Sequence, residues 1–304
     1  MPSLKEVKTR IRSVKSTRKI TSAMKMVASA KLHKAQGTIE SMMPYQRELN
    51  RILSNFLGGD LRVESPYVAR KETKRVALVP FSSNSSLCGA YNANVIKLLG
   101  QAVEEYVPAL GKENVLVFPV GKKVEEAVKR MGFQPQADAE TLADKPTYQE
   151  AADLARRLME MYAAGEVDRV ELIYHHFKST GTQVLTREAY LPVDLTQVGN
   201  PNDAATADGT NADATADAAY RADYIVEPSP EQLVADLIPT VLCQRLFTAA
   251  ADSSASEHAA RTLAMQVATD NANDLIQDLT KQYNKTRQQA ITSELLDIVG
   301  GSMK

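Results

Sequence analysis

The chain has 304 residues, with 36 Lys and Arg against 37 Asp and Glu and a formal net charge of −1. This balance argues against a general electrostatic attraction to nucleic acid, and 44% hydrophobic residues are enough for a packed core. The charge is uneven, since residues 1–35 carry ten basic residues against one acid, Glu6. No aromatic residues interleave with them, so we expect a solvated basic face and no nucleic-acid site.

Both ends of the chain are predicted to form long helices. Neither Gly nor Pro, the residues that most disfavour helix interiors, occurs between Ser3 and Gln36 or between Thr240 and Val299. At about 1.5 Å per residue the second segment would span roughly 90 Å, far more than a compact domain needs. We expect this helix to act as a rod that pairs with the other terminal helix.

The first helix begins at a capping box, Ser3-Leu4-Lys5-Glu6. Apolar residues with coiled-coil spacing follow at Leu4, Val7, Ile11 and Val14. We expect the stripe to shift to Ile20, Met24 and Val27, with small residues at Ala23, Ala28 and Ala30 that allow close approach of another backbone. The helix is expected to run past Gly37, kink at Pro44 and stop at Gly58-Gly59.

The middle of the chain alternates predicted strands and helices. The strands are Arg75–Phe81, Asn114–Phe118, Val170–Tyr174 and Thr182–Leu191, and the helices are Tyr91–Tyr106, Lys122–Met131 and one opened by the capping box Thr147–Glu150 that runs through Tyr162. Such alternation is typical of a mainly parallel sheet covered by helices.

Residues Pro201–Asp223 are mostly Ala, Asp, Thr and Gly, with no large apolar residue before Tyr220, which predicts a disordered acidic insertion. The last helix is expected to open at Ser229-Pro230-Glu231-Gln232, kink at Pro239 and end at Gly300-Gly301. Its apolar stripe is predicted at Leu263, Val267, Leu275, Leu279 and Tyr283.

Catalytic and ligand motifs are weak. The turn Ser82–Asn92 occupies the place of a dinucleotide-binding loop, but it contains only Gly89 and not the glycine pattern, so we expect a plain strand-to-helix turn. His175 and His176 alternate on a strand and point to opposite faces, which favours structural roles. Cys88 and Cys243 lack metal-ligand spacing, and no base is identifiable beside Ser85, Ser86 or Cys88. We therefore expect no catalytic group, cofactor or metal, and we see neither a secretory signal nor a membrane span.

The terminal segments resemble the gamma subunit of F-type ATP synthases. The family pattern I-T-x-A-M-x-M-V-A matches Ile20–Ala28, A-S-E-x-x-A-R-x-x-A-M followed by A-T-x-N-A matches Ala255–Ala272, and Y-N-x-x-R-Q-x-x-I-T-x-E-L matches Tyr283–Leu295. The resemblance covers essentially the whole chain. The family's S-D-R-G-L-C-G turn is altered here to Ser83-Asn84-Ser85-Ser86-Leu87-Cys88-Gly89, which loses the charged pair and one glycine.

The resemblance implies an α/β fold in which a long antiparallel coiled coil of the N- and C-terminal helices carries an inserted Rossmann-like α/β domain. The expected parts are an N-terminal helix at 1–58, the α/β domain at 73–200, the acidic insertion at 201–223 and a C-terminal helix at 228–304. The implied function is that of a central rotor shaft, which couples proton-driven rotation of the c-ring to ATP synthesis at the beta subunits. The implied partners are the alpha and beta subunits, epsilon and the c-ring, at the cytoplasmic face of the bacterial inner membrane, with membrane association only through the complex.

The resemblance also assigns roles to individual residues. Contact with the beta subunits is expected from Met24, Lys25, Arg287, Gln288, Thr292 and Glu294. The two residues on the first helix are expected to lie near the four on the last helix. Tyr224 and Glu227 are expected at the foot near the c-ring and epsilon. An apolar bearing at the shaft tip is expected from Leu295, Ile298 and Val299.

Two other functions remain open from the residues alone. One is a non-rotary coiled-coil adaptor with a Rossmann-like recognition domain, and the other is an α/β enzyme whose helices only dimerise. The missing phosphate loop and the missing nucleophile–base pair count against the enzyme.

Overall fold

The computed structural model describes residues 3–57, 65–68, 72–193, 227 and 229–302. The predicted insertion at 201–223 and the predicted foot residue Tyr224 lie outside the described residues. The chain divides into two compact units. We call Met1–Ala30 with Arg261–Lys304 the two-helix unit, and Lys31–Ala260 the sheet unit.

The first helix, α1, covers Leu4–Leu57 without interruption. The predicted cap at its start is present, because the Glu6 amide donates to Ser3 Oγ at 3.2 Å. Pro44 lies inside the helix and does not end it. Within the sheet unit, Leu32 of this helix packs in a small apolar cluster with Ala255 and Ala259.

Four strands form one sheet in the order β2-β1-β3-β4. They are β1 (Val76–Pro80), β2 (Val115–Val117), β3 (Arg169–Ser179) and β4 (Thr182–Leu191). The first three are parallel, and β4 is antiparallel to β3. This confirms the mainly parallel sheet, but β3 continues five residues beyond the predicted Tyr174 because β4 pairs with it as far as Ser179.

Helices cover both faces of the sheet. Side chains along β1 point alternately to the two faces and all five residues are buried, so both faces must be covered. The helices are α2 (Tyr91–Leu110), α3 (Lys122–Arg130), α4 (Glu140–Asp144) and α5 (Tyr148–Ala163), with a 3-10 turn at Lys112–Asn114. Val76 and Leu78 point into one core with α2 and α3, whereas Ala77 and Val79 point into the other with α5 and the last helix. The short α4 has no counterpart among the sequence predictions.

The last helix, α6, covers Pro230–Ser302 and continues through Pro239. Ser229 caps it, since the Gln232 amide donates to Ser229 Oγ at 3.2 Å. The helix ends at Ser302 and therefore includes the glycines that were expected to stop it.

One helix in the described part of the chain, over Gln232–Val299, contains a window long and apolar enough to cross a membrane by composition. This window differs from the apolar run sought in the sequence, because polar residues interrupt its apolar ones. Of this window, 56% is buried inside the protein, as in the core helix of a globular fold.

Candidate functional site

Among the described residues of the two-helix unit, side-chain hydrogen bonds join α1 to α6. They connect Arg18 Nη1 to Asn273 Oδ1 at 3.1 Å, Thr21 Oγ1 to Thr269 Oγ1 at 2.8 Å, and Lys25 Nζ to Gln266 Oε1. The partner number falls as the α1 number rises, so the two helices run antiparallel. This confirms the predicted pairing of the chain ends.

The inner face of α1 keeps one heptad spacing throughout the two-helix unit. The buried and half-buried residues at this spacing are Leu4, Val7, Ile11, Val14, Arg18, Thr21, Lys25 and Ala28, and Ser22 and Met24 beside them are half-buried as well. The expected shift of the stripe to Ile20, Met24 and Val27 is wrong for Ile20 and Val27, whose side chains are 59% and 60% exposed, whereas Met24 is half-buried. Counting on from Val14 in steps of four and three reaches Arg18, Thr21, Lys25 and Ala28, so polar and small residues occupy the seam where an apolar stripe was expected.

The inner face of α6 needs a similar correction. Its buried and half-buried residues at heptad spacing are Met265, Thr269, Ala272, Ile276, Leu279, Tyr283, Thr286 and Ala290. Leu279 and Tyr283 belong to the seam, as predicted. Leu263, Val267 and Leu275 do not, since their side chains are 49%, 50% and 39% exposed.

The two-helix unit therefore carries many large apolar side chains on its outside. Those of its central part are Ile20, Met26, Val27, Leu263, Val267 and Leu275. Single exposed apolar residues are normal on protein surfaces, but a set distributed along two paired helices indicates a surface that another protein covers. Sequence reasoning misplaced this set because it took every apolar stripe to face the other helix.

The predicted beta-contact residues do not form one cluster. Met24 and Lys25 are half-buried, and Lys25 donates to Gln266. Arg287 follows Gln266 by 21 positions on α6, a separation of roughly 30 Å along the helix axis. The expectation that Met24 and Lys25 lie near Arg287, Gln288, Thr292 and Glu294 is therefore wrong, because the antiparallel register places Arg287 and Gln288 opposite the start of α1 and the other two beyond it.

All four of these α6 residues are exposed, as is Glu227, the described member of the predicted foot. The predicted tip residues are also exposed: Leu295 by 58%, Ile298 by 67% and Val299 by 57%. Leu296, 66% exposed, extends this apolar end and was not among the predicted residues.

A buried polar segment of α6 faces the sheet unit's core. His176 Nδ1 lies 2.6 Å from Asp252 Oδ2, and Ser256 Oγ donates to the His175 carbonyl at 3.1 Å. The Tyr91 hydroxyl donates to the Ser253 carbonyl at 2.9 Å, and its ring stacks on His175 with centroids 4.5 Å apart. The two histidines thus have separate structural partners.

The same contacts shift the proton affinities of both histidines. The hydrogen bond that His176 donates to Asp252 raises the pKa of His176, although burial acts against it. Burial raises the pKa of Asp252, against the opposing effect of His176. Burial also lowers the pKa of His175 to about 4, so this ring is neutral at physiological pH.

A second buried charge lies on β3. Glu171 is 2% exposed and accepts hydrogen bonds of 2.7 Å from Arg169 Nε, Arg187 Nε and the Tyr106 hydroxyl. Burial alone would raise the pKa of Glu171, but the hydrogen bonds from Arg187, Tyr106 and Arg169 outweigh it and hold the pKa below its usual value. This network joins β3 and β4 to α2.

At the carboxyl end of the parallel strands, side chains of the protein accept hydrogen bonds from the backbone amides at the start of α3. Ser82 Oγ accepts from the Val124 amide and Asn84 Oδ1 accepts from the Lys122 amide, both at 2.9 Å. A Cβ added at Gly121 would lie 2.2 Å from the Ser82 carbonyl oxygen, so the two strand-end turns are in direct contact. Within the described ranges no group of three or more His, Cys, Asp or Glu could hold a metal ion.

Comparison with known proteins gives a consistent result. The family described as ATP synthase matches residues 3–303. The ATP synthase gamma chain of Bacteroides thetaiotaomicron is 70% identical over 304 residues, and that of Bacteroides fragilis is 67% identical over 303, each with 100% of both chains covered. The gamma chain of Flavobacterium johnsoniae is 42% identical over 305 residues, with 99% of this chain and 98% of the relative covered.

Two solved structures share the fold. A chain of the Tetrahymena thermophila mitochondrial ATP synthase central stalk and c-ring aligns with a TM-score of 0.55 at 23% identity, over 82% of this chain and 99% of that one. A chain of the Euglena gracilis mitochondrial ATP synthase aligns with a TM-score of 0.62 at 21% identity, over 99% of this chain and 93% of that one. With the full-length match to bacterial relatives, the chain belongs to the ATP synthase gamma-chain family.

Proposed function

We propose that the chain is the central rotor shaft of a proton-translocating ATP synthase and couples rotation of a c-ring to ATP synthesis at the beta subunits. The observation that carries this proposal is the distribution of side chains in the two-helix unit. Polar and small residues join the two helices at its centre, and large apolar residues face outward.

This distribution of side chains suits a helix pair that rotates inside a ring of other subunits. Apolar contacts are not directional, so an apolar surface can pass from one partner to the next without breaking specific bonds. Hydrogen bonds in the seam depend on distance and angle, and they resist sliding of one helix along the other. The outside of the shaft can therefore change partners during rotation while its inside keeps its register.

The partners of this proposal are an alternating ring of alpha and beta subunits around the two-helix unit, and epsilon with the c-ring at the foot. The names of the relatives and of the solved central-stalk structures support this assignment. We place the complex at the cytoplasmic face of the bacterial inner membrane, with this chain as a peripheral subunit. Glu227 belongs to the proposed foot, and the exposed apolar end at Leu295, Ile298 and Val299 forms the proposed tip bearing.

The contact belt for the beta subunits has two levels. Met24 and Lys25 form one level, and Arg287, Gln288, Thr292 and Glu294 form another, roughly 30 Å away along α6. Met24→Lys adds a charge that can pair with an acidic group on beta and hold the rotor too tightly. We expect assembly and much of the hydrolysis to remain while ATP synthesis falls. A proportional loss of complex yield, hydrolysis and synthesis would contradict this contact.

The chain has no catalytic group of its own in this proposal. The turns at the carboxyl ends of the strands support this view, because Ser82 and Asn84 already accept hydrogen bonds from amides at the start of α3, where a phosphate would otherwise bind. Saturable micromolar binding of ATP to the isolated chain would contradict it.

Reconstitution tests the proposal as a whole. The chain is combined with bacterial alpha and beta subunits, and the stoichiometry, ATP hydrolysis and rotation of an attached bead are measured. We expect one copy of the chain per three alpha and three beta subunits, and rotation that depends on ATP. Co-purification with unrelated partners would indicate an adaptor, and a homo-oligomer without these subunits would indicate an enzyme.

A further inference from the structure

The segment Asp252–Ser256 of α6 is unusual for a buried helix. Asp252, Ser253, Ser254 and Ser256 are between 0% and 6% exposed, although each has a polar side chain. Buried polar groups are costly unless they are hydrogen-bonded, and a plain helix–sheet contact would use apolar residues at these positions. The polar contacts here therefore require an explanation beyond packing.

We propose that these contacts form a clamp that prevents α6 from turning about its own axis against the sheet unit, so that torque passes between the helix and the α/β domain. The helix clamp consists of Asp252, Ser253 and Ser256 on α6, with His176 and the His175 carbonyl on β3 and Tyr91 on α2. This inference rests on the proposed rotor function, because only a rotor loads this helix with torque.

The clamp holds the helix from two directions. At about 100° per residue, Asp252 and Ser256 differ by roughly 40° around the helix axis, and Ser253 lies roughly 100° from Asp252. Asp252 and Ser256 bind β3, whereas Ser253 binds α2. A turn of the helix in either direction therefore stretches contacts to at least one of these two elements.

Small rotations are enough to break these bonds. The polar atoms lie about 5 Å from the helix axis, so a turn of about 10° moves them by nearly 1 Å. The distances at rest are 2.6 Å for His176–Asp252, 2.9 Å for Tyr91–Ser253 and 3.1 Å for Ser256–His175. An added 1 Å takes each bond to the limit of hydrogen bonding or beyond it, whereas an apolar contact of the same area would slide.

The clamp also lies at a place where torque has to pass. Its residues belong to the sheet unit, and α6 continues in sequence from Ser256 to Ser302 without a break in the helix. The nearby apolar contacts are made by Ala255 and Ala259, whose short side chains pack against Leu32. Methyl groups fit closely but give little resistance to rotation, whereas the larger core residues of α6, such as Leu246 and Phe247, lie earlier in the helix. At the clamp itself the hydrogen bonds therefore resist a turn more than these alanine contacts do.

The test uses the reconstituted complex with alpha and beta subunits and a bead that applies viscous load. The bead is attached through Gly181→Cys in the β3–β4 turn, where an added Cβ meets no atom within 4 Å. The clamp variant is Tyr91→Phe with Asp252→Ala, which removes contacts to both elements and keeps the Tyr91 ring. Tyr106→Phe is the matched control, because its hydroxyl binds Glu171 and not α6. Asp252→Asn is the conservative control that retains an acceptor for His176.

We expect the clamp variant to assemble normally and to hydrolyse ATP without load within about twofold of the original rate, since the catalytic sites are elsewhere. The largest bead load that it can turn should fall by about half, because two of the three hydrogen-bonded residue pairs of the clamp are lost. Both controls should turn the original load. An unchanged load limit would overturn the clamp, as would a loss of yield, hydrolysis and torque in the same proportion. If the unaltered complex does not turn the bead under ATP, the rotor function fails and the clamp with it.

Discussion

Two leucines on α6 can be used to distinguish packing within the chain from contact with a partner. Leu279 lies in the seam and is 5% exposed, whereas Leu263 faces outward and is 49% exposed. Both belong to the two-helix unit, and both can be replaced by Ala, the best helix former. The two substitutions remove the same atoms from two different environments.

The expected magnitudes follow from these environments. Leu279→Ala removes buried methyl groups and leaves a gap, which costs about 2–5 kcal/mol in closed cores. In a seam between only two helices the gap collapses more easily, so we expect about 2–3 kcal/mol. Leu263→Ala leaves no cavity and loses about half of the free energy gained by fully burying a leucine side chain, so its cost is about 1 kcal/mol or less. Better helix propensity reduces that cost further.

Hydrogen exchange of α6 amides in the isolated chain measures the local opening free energy for each variant. We expect a clear loss of protection for Leu279→Ala and little change for Leu263→Ala. In the complex with alpha and beta subunits the Leu263→Ala variant should no longer be nearly silent, because Leu263 then lies in a partner contact. Its truncation should reduce ATP-driven rotation. Equal destabilisation of the isolated chain by both variants would refute the assignment of inner and outer faces, as would a fully active Leu263→Ala complex.

Three further predictions concern the sheet unit and the insertion. Glu171→Gln should destabilise the chain by about 2 kcal/mol at neutral pH, against at most ~0.5 kcal/mol for Asp153→Asn in an exposed pair, as measured by chemical unfolding. Since the pKa of Glu171 is lowered, its contribution is present above its ordinary value of 4.5 and is lost as the pH falls below it, so the difference should vanish in acid. The pKa of His176 is raised, so the stabilisation of the fold by this residue is complete below pH 6.5 and is lost as the pH rises. The pKa of Asp252 is raised too, and this also makes the stability of the fold fall as the pH rises. Thermal unfolding between about pH 6 and pH 9 should therefore show a loss of stability that Asp252→Asn reduces, and an identical slope in both proteins would contradict the pairing. Deleting residues 202–219 removes no apolar residue larger than Ala, so the melting temperature should stay within about 2 °C, and a larger drop would mean that the insertion is packed.

The sequence by itself determined the elements and the family. The absence of Gly and Pro from both ends predicted the two long helices, and the capping residues Ser3, Thr147 and Ser229 placed three helix starts correctly. These features are local, because a cap acts over three residues and a strand is recognisable over five or six. The long terminal motifs then identified the family, and the full-length relatives confirmed it.

Only the tertiary structure decided which apolar residues face inward. A helix of this length has more than one apolar stripe, and the period of 3.6 residues shows that a stripe exists without showing what covers it. Val27 therefore resembled a seam residue, whereas the hydrogen-bonded Thr21 and Lys25 occupy the seam itself. The contacts of His176 with Asp252, 76 residues apart in the chain, were likewise beyond local pattern, because such pairs depend on how elements pack after they form.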